Sequence, residues 1–432
     1  MRCARRTVSA VSRYHRACLA LFAAGVATFA LLYSTQALLP QLSAAFGVTP
    51  AQSSWSLSLA TLGLGVALLV TGPLSEKVGR TPLIHLSLTL SAMVGLACAF
   101  APTWHTLLGL RLAQGVALAG LPAVATAYLR EELPAGRQAR AAGLYIGGTA
   151  LGGMTGRLLS SVVAEAYGWR LALAAVAAVG LVCAVIVASL LPASRNFAAG
   201  PHVALSRRAF TDPALLSLYG IGAVAMGAFV AVYNAMGFRL TSEPFALGAA
   251  AAGAVFLVYP AGTLSSAVSG RLADRYGRRA VMPFGCLLTA AGLALTVPDV
   301  LALTVVGLAV MTAGFFCVHG VASGWVPVRA HANGVPAGQA ASLYLFAYYA
   351  GSSVFGNLAG TAWSSGAWPG VVLLASACLV AGALLATSLR RVPSLLPAAD
   401  GCSGAVSPAE PAGRRMAVAV SRRPGGEVRP LP

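Results

Sequence analysis

The chain has 432 residues, of which 58% are apolar and only 9% are charged, and its mean hydropathy is +0.78. Soluble domains carry roughly 25% charged residues, so this composition excludes an ordinary globular protein and indicates one embedded in lipid. The formal net charge of +18 arises from 29 basic and 11 acidic residues, and its meaning depends on where those residues lie.

Twelve apolar stretches reach the length of about 20 residues that a membrane-crossing helix requires. Their approximate limits are 17–40, 53–73, 82–100, 106–127, 140–164, 169–191, 214–238, 249–270, 281–297, 301–324, 339–363 and 368–389. We therefore predict an all-α, polytopic membrane protein. The predicted organisation is a basic head (1–16), a six-helix bundle (17–191), a linker (192–213), a second six-helix bundle (214–389) and a disordered tail (390–432).

The basic residues are concentrated on one set of alternate loops. Most of the 29 lie in the head, the tail and every second loop, whereas the intervening loops hold only Arg170 and Arg239. Because Lys and Arg concentrate in cytoplasmic loops, we predict that both termini are cytoplasmic. We expect the protein to lie in the inner (plasma) membrane. Nucleic-acid binding would need one basic face with base-reading side chains, and charge spread over membrane-flanking loops excludes it.

The histidines, cysteines and carboxylates form no catalytic or metal-binding pattern. None of the six histidines pairs at i, i+4 spacing, and no two of the eight cysteines are close enough in sequence for a metal knuckle. We therefore predict neither an enzyme nor a metal or cofactor site. A non-transporting sensor is also not favoured, because no large signalling domain accompanies the spans.

An internal repeat with a period of about 198 residues divides the chain. The segment 72–80 after the second span recurs as 270–278 after the eighth, with Gly, Leu, acid, base, Gly and Arg in register. Tyr33 with Tyr233 and Trp169 with Trp368 keep nearly the same offset. Each repeat holds an even number of spans, so the halves are related by an axis along the membrane normal, as in transporters whose site lies between the halves.

These motifs resemble the major facilitator superfamily over the whole length from the first span to the twelfth. The repeated loop is similar to that family's G-x-L-[SA]-[DE]-[KR]-x-G-R-[KR] motif, which the second copy matches throughout and the first copy matches except at Thr81. A second family motif, R-x-x-Q-G in the fourth span, is matched by Arg111, Gln114 and Gly115. The resemblance implies two pseudo-symmetric six-helix bundles and alternating access.

The fifth span resembles a particular branch of this family. Gly143, Gly152 and Gly156 are similar to the glycine frame of the family's antiporter motif, although Arg157 stands where that motif has proline. The run 146–157 is similar to the YnfM-type, arabinose-efflux-like branch, whose members are mostly assigned as exporters. The resemblance therefore implies a secondary active transporter that exports a small drug-like or sugar-like solute, with protons as the coupling ion of an antiporter. The alternative is uptake of an organic anion.

The repeated loop is the predicted gating motif. Its residues are Gly72, Glu76, Gly79, Arg80, Gly270, Asp274, Gly277 and Arg278. A glycine at the end of a span permits close approach of a neighbouring helix, and we expect this at Gly72 and Gly270. Glu76 and Asp274 can face a helix N-terminus, whose partial positive charge favours a carboxylate. The resemblance implies a latch on the cytoplasmic side; the alternative is a turn that only anchors the topology.

Two charges lie inside predicted spans, Arg111 and Arg157. Placing an arginine at mid-bilayer costs roughly 2.5–3.5 kcal/mol on insertion scales, so such residues are functional candidates. All 11 carboxylates fall in loops, tails or span ends, and neither arginine has an acid in a span as a partner. We therefore expect one or both to contact an anionic or strongly polar substrate group. The alternative for Arg111 is a structural role in helix contacts, and for Arg157 it is a packing role.

Polar residues in the spans predict the cavity lining. The predicted substrate-binding residues are Arg157, Arg111, Tyr33, Gln36, Tyr233, Asn234 and Tyr348. Tyrosine is also enriched at membrane interfaces, which is the alternative for each of the three tyrosines. His319, alone within the tenth span, is a candidate for proton coupling, with a packing role as its alternative. The predicted partners are a small-molecule substrate, the lipid bilayer and protons, and we expect a monomer.

The predicted topology can be tested with reporter fusions placed after Gly47 and after Ala198. We expect the two reporters to lie on opposite sides of the membrane, because five spans separate the two sites. Alkaline phosphatase and green fluorescent protein activities measured on both fusions would report the side. If both fusions gave the same pattern, the twelve-span topology would be wrong.

Overall fold

The computed structural model describes residues 2–194 and 206–392 of the chain, all of which belong to one compact unit. In these ranges the chain is almost entirely helical and contains no strand. The predicted tail after residue 392 and the linker residues 195–205 lie outside the described residues.

Thirteen α-helices, numbered α1 to α13 in chain order, and three short 3-10 helices account for the described part of the chain. The α-helices are Arg2–Tyr33, Leu39–Phe46, Pro50–Val78, Arg80–Ala99, Trp104–Leu118, Gly120–Glu132, Ala135–Leu190, Pro213–Thr241, Ala249–Gly253, Tyr259–Tyr276, Arg278–Leu295, Leu301–Ala332 and Ala337–Ser388. The 3-10 helices are Gln36–Leu38, Arg207–Phe210 and Ala254–Val258. Helix α1 begins at Arg2. The predicted basic head is therefore helical and continuous with the first span.

Ten helical segments in the described residues are long and apolar enough to cross a membrane. Two of them, Gly136–Leu190 and Ala337–Ser388, contain 55 and 52 residues. At 1.5 Å per residue each would be roughly 80 Å long, against a hydrocarbon thickness of about 30 Å. Each must therefore cross twice, which gives the twelve spans that the sequence predicts.

The two long helices are broken at equivalent places in the repeat. Gly168 has φ 80° and interrupts α7, while Gly366 and Ala367 interrupt α13 with non-helical dihedral angles. Trp169 and Trp368 follow these breaks directly. The break positions therefore separate the fifth span from the sixth and the eleventh from the twelfth, and they confirm the repeat.

The repeated loop is a sharp turn made by its second glycine. Gly79 and Gly277 have φ of 93° and 84°, a conformation that favours glycine, and the next helix begins one residue later in each half. The expectation that Gly72 and Gly270 admit a neighbouring helix is wrong in this structure. A Cβ at either position would meet no described atom within 4 Å, because both glycines lie inside helices on open faces.

Glycines on the first part of α7 bring that helix against α1. A Cβ added at Gly148, Gly152 or Gly156 would overlap the backbone of Phe22, Val26 or Ala30. Two glycines of the predicted frame, Gly152 and Gly156, therefore permit contact of two helix backbones, as small residues do in membrane helix pairs, whereas a Cβ at Gly143 would meet no described atom within 4 Å. In the second half a Cβ at Gly351 would overlap Ala223, so α13 approaches α8 in the same way.

The two halves, residues 13–194 and 206–392, contact each other at one end of the bundle. We call the end that carries turns 79 and 277 the motif end, and the opposite end the closed end. Among the described residues five hydrogen bonds join the halves, and all lie from mid-helix to the closed end. They are Gln36 to Asn234, Thr61 with Ser353, Ser353 to Ser58, Asn357 to Ala51 and Ala250 to Glu165.

Each half carries an ion pair between the start of its first helix and the end of its fourth span. In the first half Arg13 contacts Glu132 at 2.9 Å, and in the second half Arg329 contacts Asp212 at 2.7 Å. The acid and base have exchanged places between the two pairs. Asp212 also caps α8 by accepting from the backbone nitrogen of Leu215 at 2.8 Å.

The pair Asp212–Arg329 is nearly enclosed, with side chains 4% and 10% exposed. We expect Arg329→Gln to destabilise the protein by about 3–5 kcal/mol, because it leaves a buried carboxylate without its cation. Adding Asp212→Asn should recover part of that loss, because asparagine keeps the helix cap without a charge. Thermal unfolding of the purified variants in detergent would measure both effects.

The control is Arg208→Gln, an exposed arginine that donates only a weak 3.4 Å bond to Asn333. It should change the unfolding temperature little. Strictly additive losses from Arg329→Gln and Asp212→Asn would contradict the coupling of the two residues.

Candidate functional site

Arg157 lies on the first part of α7, directly after the glycine face that packs on α1, and is 2% exposed. Its Nε donates to Oε1 of Gln36 at 2.6 Å, and its Nη1 donates to the carbonyl oxygen of Gly153 at 2.5 Å. Gln36 stands just beyond the end of α1 in the 3-10 turn. The close approach of the two helices therefore places the cation against the point where α1 ends.

Three aromatic rings surround the Arg157 guanidinium. Its Cζ lies 4.0 Å from the ring centroid of Tyr33, 5.0 Å from that of Phe256 and 4.8 Å from that of Tyr259. Tyr33 comes from the first half, whereas Phe256, in the 3-10 segment before α10, and Tyr259, the first residue of α10, come from the second. Such contacts stabilise a cation through the ring quadrupole, so the charge is held at the seam between the halves.

The polar network continues from Arg157 across the seam. Nε2 of Gln36 donates to Oδ1 of Asn234 at 2.8 Å, and Nδ2 of Asn234 donates to the carbonyl oxygen of Gly356 at 3.1 Å. Gln36 and Asn234 are 198 residues apart, the period of the repeat, so each is the other's counterpart. All four residues are buried. The halves are therefore joined by a hydrogen bond at their pseudo-symmetry axis.

An aromatic tract extends from the Arg157 site into the second half. Phe229 lies 5.9 Å from Tyr259 and stacks on Phe315 at 4.1 Å between centroids. Phe315 in turn lies 6.4 Å from Tyr348 and stacks on His319 at 5.9 Å. Tyr348 and His319 are only partly buried. The tract is therefore a packed run of rings that is buried at Tyr259, Phe229 and Phe315 and ends at partly exposed side chains.

His319 is held by its neighbours rather than isolated. Its Nδ1 lies 2.9 Å from the hydroxyl of Tyr344, and its ring centroid lies 4.8 Å from that of Tyr348. No described carboxylate bonds to it. The contacts are those of a hydrogen-bonded packing residue, and its part in proton coupling stays a prediction.

Arg111 is 1% exposed and is bound by backbone carbonyls. Its Nε donates to Ser56 at 2.9 Å, its Nη1 to Leu31 at 3.1 Å and its Nη2 to Leu32 at 2.6 Å. Helix α1 ends at Tyr33, so Leu31 and Leu32 belong to the last turn, where carbonyls have no partner within the helix. The geometry favours the structural alternative for Arg111: it caps α1 and ties it to α3.

The gating-motif acids are unpaired in this conformation. Glu76 and Asp274 make no hydrogen bond or ion pair to any described residue, and Asp274 is exposed. Arg80 instead binds Glu131, with Nη2 to Oε1 at 3.0 Å, and also contacts the hydroxyl of Ser75. The contact of an acid with a helix N-terminus, which the sequence predicted, is therefore absent among the described residues.

The structure brings five of the seven predicted substrate-binding residues together. Arg157, Tyr33 and Gln36 are in direct contact, Asn234 continues the network, and Tyr233 stacks on Phe256 at 5.5 Å. Tyr348 joins through the aromatic tract, whereas Arg111 faces the end of α1.

Sequence reasoning missed Phe256, Tyr259 and Glu131. Phe256 and Tyr259 belong to an apolar stretch with no charge or repeat to mark them. Glu131 carried a signal, because it stands one repeat period before Arg329 and both follow the fourth span of a half.

No metal-binding group is found among the described residues: no three of their His, Cys, Asp and Glu side chains are close enough to hold an ion. A small cleft of about 30 Å³ lies on the closed-end side of Gln36 and Tyr233, with room for about two waters.

Comparison with known proteins agrees with this geometry. The model of the Major Facilitator Superfamily matches residues 18–268. The chain is 41% identical over 378 residues to the uncharacterized MFS-type transporter YybF of Bacillus subtilis, covering 86% of this chain and 93% of the relative. It is also 41% identical over 384 residues to the inner membrane transport protein YnfM of Escherichia coli, covering 88% and 91%.

Solved structures share the fold. A bacterial homolog of the human lysosomal transporter Spinster, in an inward-facing and unoccupied conformation, superposes with a TM-score of 0.72 at 15% identity, covering 88% of this chain and 97% of that one. The nucleoside transporter NupG superposes with a TM-score of 0.68 at 15% identity, covering 87% and 99%. Relatives and fold are those of transporters and not of enzymes. Twelve spans in two repeated halves, the two loop motifs and these matches together show that the chain is a multi-pass membrane transporter belonging to the major facilitator superfamily.

Proposed function

We propose that the protein is a secondary active transporter that exports a small organic solute across the inner membrane by alternating access. The two halves are held together at the closed end and make no hydrogen bond or ion pair at the motif end within the described residues. A rocking motion about the Gln36–Asn234 contact would exchange the open and closed ends, as in transporters built from repeats. The branch that the fifth span resembles supports export as the direction.

The observation that carries the proposal is the uncompensated charge of Arg157. A buried cation at the seam between two halves is accessible from one side or the other as the seam opens, which is what alternating access requires of a substrate site. Its position next to the Gln36–Asn234 bond links ligand contact to that opening. Arg111 is equally buried, but backbone carbonyls occupy all three of its nitrogens, whereas Nη2 of Arg157 has no partner among the described residues.

The proposed orientation places both termini and the motif end in the cytoplasm. The excess of Lys and Arg on the loops at the motif end supports it, since these residues concentrate on the cytoplasmic side. In that orientation the closed end faces away from the cytoplasm, and the hydrogen bonds between the halves lie on the side away from the cytoplasm.

Uptake of an organic anion is the second candidate. It is favoured by the same Arg157, because its positive charge has no carboxylate partner in the described part of the chain and would attract an anion from either side. Protons as the coupling ion remain part of the proposal for both directions, with His319 as the residue that could exchange one.

Direction and coupling can be measured together in proteoliposomes with an imposed pH gradient. The probes are arabinose as a sugar-like solute, ethidium as a drug-like solute and benzenesulfonate as a permanently charged organic anion. We expect a probe to accumulate when the lumen is more acidic than the medium, because an antiporter drives solute against the proton flow whichever way it is inserted. Protein-free liposomes are the control. Accumulation under the opposite gradient would replace export by proton-coupled uptake.

The gating acids give a separate prediction. Asp274→Asn and Glu76→Gln should slow transport severalfold while leaving membrane levels unchanged, because each removes a charge needed only when the motif end closes and deletes no apolar packing. Transport rate per molecule of protein, normalised by immunoblot, would test this.

The matched control is Glu243→Gln, an exposed acid in the loop at the closed end. It should transport at the normal rate. Normal transport by both gating variants would assign Glu76 and Asp274 to topology alone.

A further inference from the structure

Hydrogen-bond donors around Arg157 remain unused. A guanidinium has five N–H donors, and Arg157 directs bonds from Nε and Nη1 only; within the described residues Nη2 donates to nothing. The hydroxyl of Tyr259, on a side chain that is 7% exposed, is buried and also has no partner. Its ring lies 4.8 Å from the Arg157 Cζ. Two side chains in contact, Arg157 and Tyr259, therefore each keep an unused donor.

The aromatic contacts do not use these donors. Rings of Tyr33, Phe256 and Tyr259 interact with the guanidinium as a charge, whereas its N–H groups need acceptor atoms such as carboxylate oxygens. A buried donor without an acceptor is unfavourable, and the Tyr259 hydroxyl is one. A carboxylate could accept from this hydroxyl and from the free Nη2 of Arg157.

The site has capacity for one negative charge. Arg111, the other arginine buried in a span of the first half, already donates from all three nitrogens to protein oxygens. Arg239 is buried near the closed end but is paired with Asp299 at 3.0 Å. A ligand with a second carboxylate would therefore place it among aromatic rings without a cation, at a large desolvation cost.

The aromatic tract determines what the rest of the ligand must be. It runs from Tyr259 through Phe229 and Phe315 to Tyr348, with neighbouring centroids 4.1–6.4 Å apart. A flat apolar body can stack on the partly exposed ring of Tyr348 at the end of this tract, whereas a polyhydroxylated sugar would leave its hydroxyl groups unpaired beside such rings.

We propose that the transported solute is a monoanionic organic acid with a flat apolar body, whose carboxylate binds Arg157 Nη2 and the Tyr259 hydroxyl while its body lies on the aromatic tract. This rests on the proposed transport function and selects, within it, an amphiphilic organic anion over neutral sugars and over dianions. Gln36 is the positioning residue: it holds the Arg157 Nε and leaves Nη2 directed to the ligand.

The test measures binding to the full-length protein in detergent by isothermal titration calorimetry. Three probes share one ring system: 2-naphthoate, its neutral amide 2-naphthamide, and the dianion of 2,6-naphthalenedicarboxylic acid. We expect 2-naphthoate to bind at least tenfold more tightly than either of the others. No binding of 2-naphthoate, or equal affinity for the acid and the amide, would overturn the proposal.

Variants assign the preference to the named side chains. Arg157→Gln should abolish the preference for 2-naphthoate over 2-naphthamide, and Arg157→Lys should retain part of it, because lysine keeps the charge without the planar fork. Tyr259→Phe removes only a hydroxyl, so it should fold even if Arg157→Gln does not, and it should weaken 2-naphthoate severalfold without affecting 2-naphthamide. Tyr348→Leu should weaken both probes together.

The control is Arg170→Gln, an exposed arginine stacked on Trp169 at the closed end, which should bind all three probes normally. Retention of the acid preference in both Arg157→Gln and Tyr259→Phe would overturn the assignment. Binding needs no gradient, so a failure of export in proteoliposomes would leave this inference intact. Transport of arabinose without any preference for the monoanion would defeat the inference and leave export standing.

Discussion

A guanidinium enclosed within a lipid-embedded bundle is the constraint on which the arrangement around it depends. Arg157 is 2% exposed, and burial of a charge in a membrane is tolerated only where acceptors and rings surround it. The glycine face of α7 brings Arg157 to the end of α1, where Gln36 accepts from it, and rings from both halves cover it. No carboxylate among the described residues pairs with Arg157. The site therefore suits a ligand of opposite charge.

The site is an asymmetric feature on a nearly symmetric scaffold. Gln36 and Asn234 are repeat counterparts that bond to each other, and each takes its second partner from the equivalent helix of its own half. In the first half that partner is the Arg157 side chain; in the second it is the backbone of Gly356. Symmetry thus accounts for how the halves meet, whereas the single arginine accounts for why a charged ligand would be recognised there.

The ion pairs at the ends of the helices differ between the two halves although the helices repeat. Arg13–Glu132 and Asp212–Arg329 join the same two elements in each half with the charges exchanged, because an ion pair needs opposite signs but not a fixed order. The turns at Gly79 and Gly277 have not diverged, because their left-handed φ is accessible to few other residues.

The sequence by itself determined the twelve spans, the two halves and the family. Hydropathy, the repeat and the loop motifs can all be read along the chain without knowing which residues meet in space. It also identified Arg157, since a charge in an apolar span is conspicuous in any single sequence. Only the tertiary structure decided what surrounds that charge. Phe256 and Tyr259 have no local signal, and their contact with Arg157 depends on how α10 and its preceding turn meet α7 across the seam. The same holds for Arg111: motif and composition left two roles open, and the carbonyls at the end of α1 favour the structural one.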